Sequence, residues 1–174
     1  MLKSQDVLVA LAILIKKGTI WRQTDIAHEI GISPSEVNAA IKRLTRSKIA
    51  SPSTKNEKPK IIISALKEFL IHGLKYVFPA QIGEVTRGVP TSYAAPCFGG
   101  EISYRENDLP VWPNANGKVR GYSLTPLYDT ASDIQNEEIY FFLSMIDAIR
   151  AGRAREKKIG IKLLEEKLDE YRTT

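Results

Sequence analysis

The apolar residues at the start of the chain recur at helical spacing. Val7, Leu8, Leu11, Leu14 and Ile15 follow i, i+1, i+4, i+7 and i+8, which predicts a helix from about Ser4 to Lys16. Lys16 and Lys17 suit the negative end of its dipole, and Gly18 stops it. Thr19-Ile20-Trp21 reads as a short extended piece, a small strand. A second helix starts near Thr24, read as its N-cap, with Asp25 in the first turn and Ile26, Ala27 and Ile30 turned inward. Gly31 ends it, because glycine accepts the left-handed conformation of a tight turn. Ser33-Pro34-Ser35-Glu36 is a capping box with proline at the first helical position, so a third helix runs from there to about Ser47. Val37, Ile41 and Leu44 form its inward stripe, and Ser35, Asn38, Ala39, Lys42, Arg43 and Arg46 its outward one.

Beyond the third helix the pattern changes several times. Ser51 to Lys60 is polar, basic and rich in breakers, and reads as a loop. Ile61 to His72 reads as a fourth helix ended by Gly73. Tyr76-Val77-Phe78 and Glu84-Val85-Thr86 then read as the two strands of a hairpin, the candidate wing. From Gly88 to Gly117 no period persists, and Tyr93 to Asp108 reads as a linker or an arm packed on the domain. Val111-Trp112-Pro113 and Lys118-Val119-Arg120, separated by a segment ending in Asn116-Gly117, suggest a short hairpin, with Trp112 buried. From about Asn136 an apolar stripe returns: Ile139, Phe142, Leu143, Ile146 and Ile149, then, past the charged RAGRAREKK segment, Ile161, Leu164, Leu168 and Tyr171. This is one long helix or two, breaking near Gly152. The expected organisation is a DNA-binding domain over 1–92, a linker or arm with a short hairpin over 93–121, and a helical region over 122–174 for dimerisation or partner binding. The fold class is mainly α with a small β-wing.

The segment TDIAHEIGISPSEVNAAIKRL resembles the helix-turn-helix of bacterial winged-helix regulators of the broad MarR-like class. The matching features are small Ala27 where two helices cross, Gly31 at the turn, Ile32 beneath it, and Val37, Ile41 and Leu44 in the third helix. The resemblance covers roughly the first half of the chain and implies a transcription regulator, a repressor that binds double-stranded DNA. In such a motif the second helix enters the major groove, where each base pair shows its own donor and acceptor pattern. Ser33, Ser35 and Asn38 then become candidate polar contacts and Ala39 a contact to a thymine methyl. Lys42, Arg43 and Arg46 lie where phosphates or guanine edges are within reach. Gln23 and Thr24, at the start of the second helix, are placed to hold a phosphate. Arg87 at the base of the candidate wing, or Lys55 and Lys58 in the earlier loop, would reach the backbone or the minor groove. The resemblance also implies a homodimer formed through terminal helices, with Ile139, Phe142, Leu143, Ile146, Ile149, Leu164 and Leu168 at the interface. The alternative is a winged helix that binds protein, such as an antitoxin-like or defence-associated autoregulator gripping a partner protein with its C-terminal half.

Charge sharpens this picture. The net charge is +5, with 14 Lys/Arg against 7 Asp/Glu from Met1 to Ser92, and 11 against 13 from Tyr93 onward. A basic half joined to a near-neutral half suits a nucleic-acid module attached to an oligomerisation or partner module, although each basic side chain taken singly also suits a solvated surface. Arg150, Arg153, Arg155, Lys157 and Lys158 are placed to flank DNA or bind an acidic partner, or else to form a solvated helix surface. The single cysteine, Cys97, excludes a disulfide within the chain, and a redox-sensing thiol there has no neighbouring positive charge in sequence to support it. The N-terminal apolar run reads as a helix and not as a signal peptide, and no stretch approaches the roughly 20 apolar residues that span a bilayer, so a cytoplasmic protein without membrane contact is expected. His28 and His72 have no Cys or carboxylate at metal-ligand spacing, so neither a metal nor a cofactor is expected. With no P-loop, dinucleotide fingerprint or nucleophile elbow in the sequence, no enzyme is expected.

Overall fold

Helix α1 (Ser4–Ile15) is buried on every side, from Gln5 to Leu14, in the computed structural model, which describes residues 1–172. A helix apolar around its circumference has to lie inside a protein, and α1 does. It packs against α2 (Gln23–Ile30) and α3 (Pro34–Arg46), and against α6 (Glu137–Ala151) of the C-terminal half. One continuous apolar core results, with members from Val7 through Trp112 to Leu168. That core and the small sheet both run across the positions 92 and 121 at which the sequence suggested boundaries.

The helix-turn-helix forms as the pattern predicts, with local differences. The N-cap of α2 is Arg22, not Thr24: the Asp25 carboxylate accepts from the Arg22 amide (2.7 Å) and so starts the helix two residues earlier. Gly31 closes α2 at φ +70°, the left-handed conformation expected of it. Ser33 caps α3 by accepting from the Glu36 amide (3.2 Å). The return bond of the capping box gives way to longer-range contacts, since the Glu36 carboxylate accepts from Gln5 and lies 3.9 Å from Arg43. No strand forms over Thr19–Trp21, although Trp21 is buried.

The wing is not the hairpin expected at Tyr76–Thr86. It is the polar segment first read as a loop. Ala50 and Ile61 form an antiparallel bridge. The Ser51 amide donates to the Lys60 carbonyl (2.8 Å), the Ile62 amide to the Ile49 carbonyl (2.8 Å), and the Thr54 amide to the Glu57 carbonyl (2.9 Å). The fourth helix does not stop at Gly73. Helix α4 (Ile63–Glu68) passes through a π-turn (Phe69–Gly73) into α5 (Leu74–Val77), so Tyr76 and Val77 are helical.

Strands β1 (Ile82–Pro90), β2 (Pro110–Pro113) and β3 (Val119–Leu124) pair each with the other two. β1 is antiparallel to both, whereas β2 and β3 run parallel. The expected hairpin across Asn116-Gly117 therefore does not exist, because β1 serves as the common antiparallel partner. The three backbones approach so closely that a Cβ on Gly88 would lie 2.1 Å from the Trp112 carbonyl oxygen, which only glycine allows. Tyr93, Ala94, Ala95 and Phe98, in the segment read as a linker or a packed arm, are buried in the core, as an arm packed on the domain would be. Helices α6 and α7 (Ala154–Glu170) are two helices broken at Gly152, packed against each other.

Asp147 ties α6 to the sheet. It is buried, and its carboxylate accepts from Trp112 Nε1 (2.6 Å), Thr91 Oγ1 (2.8 Å) and Arg150 Nη1 (2.8 Å), while Arg150 Nε donates to the Phe78 carbonyl (2.9 Å). Burial pushes the Asp147 carboxyl up from its ordinary range, against the pull of Arg150, Thr91 and Trp112. Arg150 is thus a structural cation and not part of a basic surface.

Candidate nucleic-acid interface

Helix α3 is held so that one face is sealed and the other open. Val37, Ala40, Ile41 and Leu44 are buried. Ser35, Asn38, Lys42 and Arg46 are exposed, at positions i, i+3, i+7 and i+11, and Ala39 is half-buried beside them. These five residues form one stripe of short polar groups near the N-terminal end and cations toward the other. Ser33 and Ser35 are both exposed at the start of the helix, their hydroxyls 2.9 Å apart.

Arg43 does not belong to that stripe. Its Nε and Nη2 donate to the two oxygens of Asp6 on α1, at 2.8 and 2.7 Å. The Asp6 side chain is 1 % exposed and that of Arg43 17 %. The hydrogen bond to Asp6, with the charges of Asp6 and Glu36, raises the guanidinium pKa against the opposing effect of burial. A side chain that neutralises a buried carboxylate is not available to a phosphate, so the expectation that Arg43 contacts DNA is corrected: it fixes the angle of α3 on α1. The signal was present in sequence as Asp6, a lone acid leading into an uninterrupted apolar run.

Gln23 is half-buried and Thr24 exposed, both in the first turn of α2. Lys55, Lys58 and Lys60 are exposed on the wing. Lys58 Nζ lies 4.6 Å from the centroid of Trp21, a cation–π contact that fastens the wing to the segment before α2. Lys60, beside the bridge at the base of the wing and not singled out in the sequence, lies 3.8 Å from Glu57. Arg87 is exposed on β1, in the sheet and not at the base of a wing.

The residues expected at a dimer interface are elsewhere still. Ile139, Phe142, Leu143, Ile146, Ile149, Leu164 and Leu168 are each 0–1 % exposed within a single chain. They are the core between α6, α7, α1 and the segments packed on them, and a second chain cannot reach them. An apolar stripe reads the same in sequence whether it faces its own core or a partner.

The C-terminal half grips the helix-turn-helix at its turn. Thr130 Oγ1 donates to the Ile30 carbonyl (2.7 Å), and Asn136 Nδ2 to Glu29 (2.7 Å), which also pairs with Lys16 (3.2 Å). Among the described residues no three or more His, Cys, Asp or Glu side chains are grouped to hold a metal ion, and no helix is long and apolar enough to cross a membrane.

Residues 10–49, from within α1 to the first residue of the wing, match a family model described as winged helix-turn-helix DNA-binding. The chain matches no curated protein and no solved structure. The N-terminal region is thus a winged helix-turn-helix, and the match supports a DNA-binding regulator.

Proposed function

We propose that this chain is a sequence-specific transcription regulator of the MarR-like class, acting as a repressor. In this reading α3 lies in the major groove, with Ser35 and Asn38 at base edges, Ala39 against a thymine methyl, and Lys42 and Arg46 on phosphates or guanine. Ser33, Gln23, Thr24 and the wing lysines Lys55 and Lys58 approach the flanking backbone. The observation that carries the reading is the division of α3 into a sealed apolar face and an open face of short polar and cationic side chains. The test is binding of the purified chain to duplex DNA from upstream of its own gene across a salt series. Wild type is expected to bind with steep salt dependence, and Asn38→Ala with Lys42→Ala to lose preference for that duplex over a mixed-sequence one. No salt-sensitive binding by wild type sinks the proposal.

A homodimer, which would place two copies of α3 one helical turn apart on a two-fold operator, needs a surface other than the α6–α7 stripe. Of the exposed large apolar side chains, which also include Met1, Ile20, Ile62 and Tyr104, we place it at Tyr76, Val77, Ile82 and Val85, 76, 49, 64 and 48 % exposed and close together in sequence. A solution mass of two chains that falls to one in Val77→Asp with Val85→Asp supports that placement. A monomeric wild type gives the surface to a partner protein instead.

A further inference from the structure

The pairing of β1 with β3 places Arg87 directly opposite Arg120. Residues opposite each other in an antiparallel pair project on the same side, and Lys118 stands in the bend that leads into β3, two residues before Arg120. All three are exposed. Glu84, the acid in the β1 sequence, lies in the stretch between Ile82 and Val85 where the register shifts, away from the Arg87–Arg120 pair. Among the described residues none of the ion pairs involves Arg87, Lys118 or Arg120. Like charges set directly opposite each other weaken a strand pair. Three exposed cations gathered at one end of the β1–β3 pair, none of them in an ion pair and with the acids Asp108 and Glu156 beside Tyr122 farther along β3, make a surface suited to a polyanion.

A short series of contacts links this surface to the helix-turn-helix. The Asn114 amide donates to the Arg87 carbonyl (3.0 Å). The Asn114 side chain donates to Ser132 Oγ (3.2 Å), to the Ser132 carbonyl (3.3 Å) and to Asp133 (3.1 Å). Two residues earlier, Thr130 bonds the Ile30 carbonyl and packs where a Cβ on Gly31 would stand, 3.2 Å from its methyl. Arg87 and Arg120 are therefore held in a fixed relation to the turn from which α3 enters the groove.

We infer that Arg87, Lys118 and Arg120 form a second DNA contact, to phosphates of the duplex flanking the segment read by α3. This rests on the reading of α3 as the DNA-binding helix. It joins Arg87, expected from the sequence to reach DNA as part of a wing, to Lys118 and Arg120, which the sequence did not single out.

The experiment is fluorescence anisotropy with a labelled 30-base-pair duplex of mixed sequence, from about 50 to 200 mM salt. Each phosphate contact contributes about 0.9 to the slope of log K against log salt. Arg87→Gln with Arg120→Gln is expected to lower the slope by about 1.8 and to weaken binding at 0.1 M salt by about 60-fold. The same variant should melt no lower than wild type, because the opposed charges are gone. Lys118→Glu, at an exposed bend, is the second variant and should lower the slope by at least about 1 whatever the first does to folding. If wild type binds no duplex, this inference and the α3 reading fall together. If wild type binds and these variants keep its slope and affinity, this inference alone is overturned. A slope change seen on single-stranded RNA of the same length but not on the duplex also overturns it.

Discussion

Replacing Arg43 with alanine separates the two roles open to a cation on α3. The structure gives Arg43 a buried partner: Asp6, 0 % exposed, receives two of its hydrogen bonds at 2.8 and 2.7 Å. Removing one member of such a pair leaves a charge that water cannot reach, which costs about 3–5 kcal/mol. Two features place the expected cost near the lower figure. The Arg43 side chain keeps 17 % of its surface in solvent, and the Lys3 amide continues to donate to Asp6 at 2.8 Å. At about 3 kcal/mol, a chain of this size should lose roughly 6–12 °C in melting temperature. Lys42→Ala, one residue away on the open face, should change stability by less than about 0.5 kcal/mol while lowering DNA affinity and its salt slope. The double variant Asp6→Leu with Arg43→Met should recover most of the loss, because an apolar pair of similar volume replaces a buried ion pair at little net cost. Urea and thermal melts read by circular dichroism, with DNA binding measured well below each midpoint, make the comparison. Unchanged melting of Arg43→Ala together with a drop in affinity as large as that of Lys42→Ala would refute the reasoning, since Arg43 would then be facing the duplex.

The same physics applies to the node in the C-terminal half. Asp147→Ala leaves the Arg150 guanidinium, 2 % exposed, without its carboxylate, and should cost about 3–5 kcal/mol in a urea melt; a loss below about 1 kcal/mol would show that the network is not formed in solution. Cys97 is half-buried, and burial pushes its thiol up to about 12, so almost no thiolate exists at pH 8. A disulfide reagent at that pH should modify the folded protein about 50-fold more slowly than the urea-unfolded chain, after allowing for the greater nucleophilicity of a more basic thiolate. Equal rates would place the thiol in solvent and restore a redox role.

What was legible in sequence was local. The capping Ser33, Pro34 at the first turn, Gly31 in its left-handed turn and the spacing of Val37, Ile41 and Leu44 are short-range signals, and α2 and α3 follow them closely. The wing was missed because its pairing amounts to one bridge and a few backbone bonds around a polar tip, with no alternating apolar stretch to announce it. Tyr76-Val77-Phe78 has strand-forming residues, but the π-turn carries the helix past Gly73 and tertiary packing overrides propensity. Asn116-Gly117 suits a hairpin turn, yet β2 and β3 each found a better antiparallel partner in β1, some 20 or more positions away in the chain. Arg43 was assigned outward by helical arithmetic alone, which is blind to an acid buried on another helix.

These corrections converge on how the open face of α3 is aimed. It does not depend on a linker between a DNA-binding half and a separate half. Asp6 and Gln5 on α1 hold Arg43 and Glu36 on α3, Thr130 and Asn136 hold the end of α2 and its turn, and α6 packs on α1 from behind. A helix supported from two sides in this way is tied to the rest of the chain, so on the proposed reading the placement of the whole chain follows from how α3 docks. Anything that displaces α6 or the 130–136 segment, whether a partner protein or a second copy, must then act on DNA affinity through α1 and the turn at Gly31. Thr130→Val keeps the shape and deletes the hydrogen bond to Ile30. It should therefore weaken DNA binding several-fold while changing melting by only about 1 kcal/mol. Equal binding by Thr130→Val and wild type would mean that α3 is aimed by the N-terminal helices alone.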